Sequence, residues 1–212
     1  MARPVKTQEE IEATRERILD AAHSILESAG PAAISTRAVA KHLGMAHMTL
    51  YRYFENKDAI LAALRTRELS KWRLRQQGIE ERAASEPAGK LVMEMLRSIG
   101  EFAHRAPNVY HLAWAMPEAL GESLEQTRER TRGTVGQFAR LLKISMERGE
   151  IEKREPILAA ATSLAIVNVP HMLYHAGKLS DPKMRRQMEE EVVRAAMLWL
   201  VGEKGSKHAK SL

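Results

Sequence analysis

The chain has 212 residues, no cysteine, 28% charged residues and a formal net charge of +6 at pH 7. The absence of cysteine excludes a disulfide framework and thiolate metal or redox chemistry, and it fits the cytoplasm, the predicted location. The length allows one or two domains with a substantial core. Only 5% of the residues are aromatic, and abundant Ala, Leu, Met, Glu and Arg favour an all-α fold. The positive charge suits an anionic partner.

The first predicted helix begins after Thr7. Thr7 and Glu10 have the spacing of a capping box, in which two side chains satisfy free backbone N–H groups. Gly30-Pro31 ends this helix, since neither residue continues a helix well. Its apolar face is formed by Ile11, Ile18, Ala22, Ile25, Leu26 and Ala29.

The next segment has the spacing of two short helices joined by a tight turn. Ser35 or Thr36 can cap the first of these helices. Ala40 allows the helices to approach, Gly44 tolerates the left-handed backbone of the turn, and Leu50 fixes the second helix onto the first. This spacing predicts a helix-turn-helix.

The second helix of the pair, residues 46–53, is the predicted recognition helix. Leu50 and Phe54 are assigned to the core, and of Arg52 and Tyr53 we expect Arg52 to face DNA. The alternative is a helical pair that only packs and never touches DNA. The residues on faces not needed for packing, which can enter a major groove, are His47, Thr49, Tyr51 and Arg52.

Asn56 caps a third helix that continues to about Gln77. Lys57 and Asp58 fall in its first turn, where free N–H groups and a cation together suit a phosphate oxygen. We therefore predict that Lys57 holds a DNA phosphate. At the standard rise per residue the helix is about 33 Å long, enough to link two domains.

The run GMAHMTLYRYFENKDAIL, residues 44–61, resembles the tetracycline-repressor (TetR) family of bacterial transcription regulators. The match includes the turn glycine, a Thr-Leu-Tyr core, a Tyr-Phe pair and the lysine that opens the next helix. The family commonly has Lys-Gly where this chain has His47-Met48, so the DNA contacts of these two residues stay open. The signature covers residues 10–64. The predicted DNA-binding residues are Thr36, Arg37, Ala46, His47, Thr49, Tyr51, Arg52 and Lys57.

The layout predicts an N-terminal three-helix helix-turn-helix DNA-binding domain, joined by a long helix to a C-terminal helical domain for ligand binding and dimerisation. The boundaries are residues 1–56 for the first domain, 56–77 for the linker helix and 78–202 for the second domain, with a disordered tail at 203–212. A charged break from Gly78 to Gly89 starts the second domain. Pro107, Pro117 and Gly149 end its next helices.

The last two predicted helices, residues 157–169 and 192–201, are apolar almost all round. Neither run reaches the roughly 20 apolar residues of a membrane span, so we expect no membrane partner. Pairing both helices with their copies in a second chain would form a four-helix interface, as the family resemblance also implies. Charges at Val193 or Met197 are expected to disrupt this homodimer.

The second domain combines Met and aromatic residues with proline breaks, a composition that suits a mainly apolar cavity. Plain core is the alternative, although the resemblance implies some cavity. His171 and His175 lie one helical turn apart but lack an acidic third ligand, so we predict no metal and no cofactor. The predicted ligand-binding residues are Phe102, Tyr110, Trp114, Phe138 and Tyr174, with Met116 as a further pocket candidate.

The leading hypothesis is a homodimeric transcriptional regulator that binds double-stranded DNA and is not an enzyme. The resemblance implies a repressor that an effector, bound to the helical domain, releases from DNA by tilting the long helix. The composition of the second domain predicts an apolar or amphipathic effector, and a two-fold dimer predicts a palindromic operator. One alternative is a helical small-molecule-binding protein or enzyme that uses the helix-turn-helix only structurally, but no paired acid and base, nucleophile or metal set is apparent. Another is a nucleoid-type binder with little sequence preference.

Overall fold

The computed structural model describes residues 7–114 and 124–205. The chain is 83% helical and the described residues contain no strand, so the predicted all-α fold is confirmed. The helices are α1 Gln8–Ala29, α2 Thr36–His42, α3 His47–Leu50, α4 Lys57–Glu81, α5 Ala88–Arg105, α6 Pro107–Trp114, α7 Leu124–Glu147, α8 Pro156–His175 and α9 Pro182–Gly205, with short 3-10 helices at Pro31–Ala33 and Arg82–Ala84.

Two compact units divide the described residues. The first contains residues 7–70 and 106–114, and the second contains residues 71–105 and 124–205. This division differs from the predicted boundaries, because α6 packs on α1 and belongs to the first unit. Helix α4 passes from one unit into the other at Ser70.

In the first unit, α1 is the central support of the small helices. Its predicted capping box is present: the Thr7 hydroxyl accepts from the Glu10 N–H, and the Glu10 carboxylate accepts from the Thr7 N–H. Gly30 ends the helix with φ +77°, a conformation that favours glycine. The buried face of α1 consists of Thr14, Ile18, Leu19, Ala21, Ala22 and Leu26.

The second unit is a bundle of α5, α7, α8 and α9 with the C-terminal part of α4. Helix α8 packs on α5, α7 and α9, so it is the centre of the bundle. Helix α7 is followed by Gly149 at φ +72°, where the sequence predicts the stop. The Glu155 carboxylate caps α8 by accepting from the N–H groups of Ile157 and Leu158.

Three predicted helix limits are wrong. Helix α4 does not end near Gln77 but continues through Gly78 to Glu81, because Gly78 is exposed and the next residue, Ile79, is buried. A single glycine inside a helix costs only about 1 kcal/mol relative to alanine. Helices α8 and α9 have 20 and 24 residues and exceed their predicted apolar runs, and α8 continues through Pro170.

Helix α8 is long and apolar enough to cross a membrane by length and composition, with a mean hydropathy of 1.5. The prediction that its apolar run is too short for a membrane span is therefore wrong on length. The core helix of a soluble protein passes the same test, and 44% of the apolar window is buried inside this protein. The predictions for Met116, Pro117 and residues 206–212 of the tail fall outside the described residues.

Candidate DNA-binding surface and ligand cavities

The turn between α2 and α3 has the geometry that the sequence predicts. Gly44 adopts φ +61°, and the N–H of Met45 donates to the carbonyl of Ala40 at 2.9 Å. Ser35, rather than Thr36, caps α2 by accepting from the Ala38 N–H at 3.0 Å. Ala40 is 2% exposed, so the two helices meet closely at this residue.

The regular part of the recognition helix, His47–Leu50, is shorter than the predicted residues 46–53. A hydrogen-bonded turn follows, in which the Arg52 N–H donates to the carbonyl of Thr49 and the Tyr53 N–H donates to that of Leu50. Such i to i+3 bonds tighten the end of a helix and interrupt the regular α pattern.

The side chains after the turn divide into core and surface as predicted. Leu50, Tyr53 and Phe54 are buried, whereas Tyr51 and Arg52 are exposed. Arg15 of α1 holds the core side in place: its guanidinium donates to the carbonyl of Tyr53 and lies 4.2 Å from the centroid of the Phe54 ring. The exposed face is therefore presented on a fixed backbone.

Three predicted contact residues, Thr36, His47 and Tyr51, form one polar cluster on this face. The Thr36 hydroxyl lies 2.9 Å from His47 Nε2, and the rings of His47 and Tyr51 meet edge to face at 5.0 Å between centroids. The cluster joins the start of α2 to α3 and restricts the orientation of the imidazole. The sequence did not indicate that these residues contact one another.

The other predicted contact residues also belong to the first unit. Arg37, Ala46 and Lys57 are exposed, and Thr49 is half-buried. Lys57 starts α4, and the Asn56 side chain caps this helix by accepting from the Ala59 N–H at 2.8 Å. Lys57 therefore combines its charge with the free N–H groups of a helix start, as predicted.

Met48 is missing from the predicted DNA contacts, although its exposure of 74% is the highest among the large hydrophobic residues of the described chain. It lies in α3 between His47 and Thr49. Exposure of an apolar side chain to water at this position does not stabilise the folded protein. The position of Met48 inside the recognition helix indicated a possible contact with DNA. Because the sequence departs from the family pattern at His47-Met48, the role of Met48 stayed open.

Two of the predicted ligand-binding residues line separate cavities. Phe102 is buried, stacks on Trp72 with 6.4 Å between ring centroids, and lines a cavity of about 300 Å³ between α4 and α5. Phe138 lines a void of only about 10 Å³. Both residues belong to the second unit.

Tyr110, Trp114 and Tyr174 are not among the residues that line these two cavities. Tyr110 and Trp114 are neighbours in α6, with 6.2 Å between ring centroids, and belong to the first unit. Tyr174 is 38% exposed, and the Arg185 guanidinium lies 4.0 Å from its ring centroid.

A cavity of about 1070 Å³ lies between α5, α8 and α9 of the second unit. Val193 and Met197, which the sequence analysis assigns to the dimer interface, line this cavity. Sequence reasoning missed this cavity because its walls come from three distant helices. Its apolar lining is Met93, Leu96, Val167, Val193, Met197, Leu198 and Val201.

A group of polar residues forms one side of this cavity. Glu189 accepts from Arg185 Nε at 2.9 Å, and its other oxygen lies 2.6 Å from His104 Nε2. His171 is 1% exposed, and its Nδ1 lies 3.4 Å from both Glu189 and Arg185. Burial lowers the pKa of His171 to about 4, although Glu189 raises it, so the imidazole is neutral at pH 7.

No group of three residues able to hold a metal ion occurs among residues 7–114 and 124–205. His171 is engaged with Glu189 and Arg185, whereas His175 meets the Tyr174 ring edge to face at 5.3 Å. The guanidinium beside His171 also opposes the binding of a cation there.

Comparison with known proteins agrees with this geometry. Residues 18–64 match the family "Bacterial regulatory proteins, tetR family". An uncharacterized HTH-type transcriptional regulator of Mycobacterium tuberculosis is 28% identical over 167 residues, which cover 69% of this chain and 82% of the relative.

Solved structures show the same fold. A TetR-family regulator of Pectobacterium atrosepticum has a TM-score of 0.72 at 21% identity and covers 93% of this chain and 99% of its own. SmeT, the repressor of the multidrug efflux pump SmeDEF of Stenotrophomonas maltophilia, is also similar. Its complex with triclosan has a TM-score of 0.63 at 20% identity and covers 90% of this chain and 93% of SmeT.

This protein is helical, and its helix-turn-helix exposes polar and basic residues. That is the architecture of a DNA-binding regulator. The match of residues 18–64 to the tetR family, the HTH-type relative and the TetR-family structures together support a TetR family regulator. The family consists of regulators rather than enzymes, so the prediction that this chain is not an enzyme is confirmed.

Proposed function

We propose that the protein is a homodimeric cytoplasmic repressor that binds a palindromic operator and is released from it by a small apolar or amphipathic effector. The observation that carries the DNA-binding part is the exposed face of α3 and its turn. That face is held by a buried Leu50 and by Arg15, while Tyr51, Arg52 and Lys57 stay exposed.

In this proposal, Tyr51 and Lys57 hold phosphates, and His47, Met48 and Thr49 address base edges. The Thr36 hydrogen bond fixes the His47 ring and so determines which ring atom can face a base. The Met48 side chain suits the methyl group of thymine, because apolar side chains recognise that group in the major groove. Arg37, Ala46 and Arg52 complete the contact surface.

The homodimer is supported by an apolar stripe on α8. The stripe consists of Leu158, Ala161, Ala165, Val169 and Met172, which are exposed and recur every three or four residues. Leu158 and Met172 are 63% and 58% exposed, which is costly for apolar side chains on a monomer surface. We propose that two copies of this stripe pack together around a two-fold axis.

Helix α9 contributes a second row of apolar residues at helical spacing. Met184 and Ala195 are exposed, and Met188, Val192 and Trp199 are half-buried. Two α8 helices and two α9 helices then form a four-helix interface. A two-fold dimer presents two recognition helices, which explains why the proposed operator is palindromic.

Effector control is supported by the cavities of the second unit and by the continuity of α4. Helix α4 carries Lys57 at its start and lines the 300 Å³ cavity through Trp72 and Gln76. A ligand that binds the second unit can therefore influence the helix that holds a DNA phosphate. Release requires that the effector binds the DNA-incompetent state more tightly, and a hundredfold preference corresponds to about 2.7 kcal/mol. SmeT, which binds triclosan, is a precedent in the same fold.

The decisive experiment selects bound fragments from random DNA and then measures competition between the selected operator and random DNA at matched salt. We expect Lys57→Ala to weaken binding to all sequences alike and to reduce the salt slope by about 1. We expect Thr49→Ala to narrow the preference for the operator up to about tenfold.

Lys143→Ala is the matched control, because Lys143 is an exposed lysine on α7 of the other unit, and it should leave both quantities unchanged. Equal operator affinity for the wild type and the Tyr51→Ala, Lys57→Ala double variant, with helix content intact, would contradict the assignment. A steep salt slope without any operator preference would instead identify a nucleoid-type binder.

A further inference from the structure

The sulfur chemistry of this chain is confined to methionine. The sequence has 11 methionines and no cysteine, so thioethers are the side chains that a peroxide oxidises most readily. Susceptibility to oxidation follows exposure to solvent. Among the methionines of residues 7–114 and 124–205, three are exposed: Met48 at 74%, Met172 at 58% and Met184 at 55%. Met48 is the most open of these three.

Met48 differs from the other two exposed methionines in its surroundings. Met172 of α8 and Met184 of α9 belong to the apolar rows of the proposed dimer interface, which lie in the second unit. Met48 belongs to α3 in the first unit and is not part of that interface. The proposed dimer therefore leaves the Met48 thioether open to solvent until DNA covers it.

Oxidation of Met48 changes the surface of α3 and leaves the support of this helix intact. Leu50 is fully buried, and the Arg15 guanidinium donates to the carbonyl of Tyr53. Neither interaction involves the Met48 side chain. A polar change at an exposed position has little effect on the free energy of unfolding. We therefore expect the consequence of oxidation at the contact with DNA rather than in the fold.

Methionine sulfoxide is a poor partner for the surface that the proposed function gives to Met48. In the major groove, thymine presents its C5-methyl group beside the acceptor O4. The thioether of methionine can pack against this methyl group. The sulfoxide oxygen is a hydrogen-bond acceptor, and at the same position it would lose its water without gaining a donor from thymine. Oxidation converts a flexible apolar side chain into a polar one and so removes the contact.

We propose that Met48 is an oxidation site through which a peroxide weakens binding to the operator. This proposal rests on the proposed contact of α3 with DNA. In the reaction, a lone pair of Met48 Sδ attacks one oxygen of hydrogen peroxide, so that an S–O bond forms and the O–O bond breaks. The released hydroxide takes the proton of the transferred oxygen and leaves as water. Sulfur loses two electrons to the peroxide, and the product is methionine sulfoxide.

The first experiment treats the full-length, DNA-free protein with hydrogen peroxide and measures its affinity for the selected operator and for random DNA at matched salt. Peptide mass spectrometry quantifies the sulfoxide at each methionine. We expect operator affinity to fall about tenfold or more in proportion to the Met48 sulfoxide, with random DNA affected less. Unchanged operator affinity at complete oxidation of Met48 would overturn the proposal.

The site is assigned with Met48→Leu, which removes the thioether but keeps an apolar side chain, and with Met45→Leu as its matched control. Met45 is half-buried in the same turn, three positions before Met48. Each variant is compared with its own untreated form. We expect peroxide to leave the operator affinity of Met48→Leu unchanged and to weaken that of Met45→Leu as strongly as in the wild type. Loss of affinity in treated Met48→Leu, or resistance of Met45→Leu, would assign the effect to another residue and contradict the proposal.

Protection by DNA and chemical reversal test the same site without a substitution. A saturating operator should slow the oxidation of Met48 at least about tenfold and leave that of Met184 unchanged, whereas equal rates at Met48 with and without operator would show that DNA does not cover it. Methionine sulfoxide reductases with a thiol should restore operator affinity. Failure to restore affinity once mass spectrometry shows a reduced Met48 would attribute the loss to other damage and overturn the proposal.

These measurements separate the failure of this proposal from the failure of the proposed function. A protein that binds the operator equally well before and after oxidation of Met48 would refute the oxidation site and leave DNA recognition standing. An untreated protein without preference for any operator would refute both.

Discussion

The exposed face of the helix-turn-helix and the exposed face of α8 differ in how the chain specifies them. At the first, one short segment supplies the turn glycine, the core residue Leu50 and the polar side chains, so the motif is complete in itself. At the second, an apolar stripe stays exposed although its helix is central to the second unit. A polar recognition face is stable in water before its partner arrives, whereas an apolar stripe implies a partner that covers it.

The largest expected effect is the loss of the proposed dimer when a charge is placed in the apolar stripe of α8. Ala161→Glu would bury an unpaired carboxylate in the proposed interface, at a cost of about 3 kcal/mol or more, which corresponds to at least a hundredfold weaker association. Sedimentation velocity at micromolar concentration should show a monomer, and affinity for the palindromic operator should fall while affinity for a half-site remains.

Ala84→Glu is the matched control, because Ala84 is an exposed alanine of the second unit outside the stripe and should leave the dimer intact. A wild-type protein that sediments as a monomer, or an Ala161→Glu variant that stays dimeric, would contradict the proposed interface.

The same contrast explains how much the sequence could predict. The capping box, the turn at Gly44 and the burial of Leu50 and Phe54 depend on residues within a few positions of one another, and all were predicted. The length of α4 was not predicted. Gly78 indicates a helix end, but a single glycine is a weak signal, and the burial of Ile79 favours continuation of the helix.

The cavity between α5, α8 and α9 depends on contacts between distant residues and could not be predicted. His171 and Glu189 meet only because α8 and α9 pack together, and periodicity does not reveal which face of an almost wholly apolar helix meets which neighbour. Val193 and Met197 are the clearest example, since their apolar character gave no indication that they line a cavity together with residues of α5 and α8.

The second expected effect concerns the buried polar group of the second unit and its response to pH. Burial lowers the pKa of His171 from 6.5 to about 4 in the folded protein. The unfolded chain therefore binds more protons between these two values, and the free energy of unfolding rises with pH across this window. The stabilisation is present at pH 7 and is lost as pH falls from about 6.5 to about 4, by about 3 kcal/mol in total.

Denaturant unfolding at several pH values, compared between the wild type and His171→Gln, checks this expectation. The difference between the two proteins should shrink as pH falls through the window, because only the wild type must keep a neutral imidazole beside Glu189, Arg185 and His104. A constant difference between the wild type and His171→Gln would show that His171 keeps its ordinary pKa in the folded protein.

The smallest expected effect concerns the DNA-binding face, at the polar cluster of Thr36, His47 and Tyr51. Thr36→Val keeps the shape of the side chain but removes the hydrogen bond to His47 Nε2, a change of about 1 kcal/mol in the free energy of unfolding of the first unit. If the bond orients His47 for base recognition, the variant should lose operator preference by severalfold while its affinity for random DNA stays the same.

Lys41→Ala, at an exposed lysine of α2, serves as the comparison. If Lys41 contacts a phosphate, this variant should bind operator and random DNA more weakly by the same factor, because a phosphate contact carries no sequence information. Equal loss of affinity for operator and random DNA in Thr36→Val would mean that Thr36 contacts a phosphate directly and that the His47 hydrogen bond does not contribute to sequence recognition.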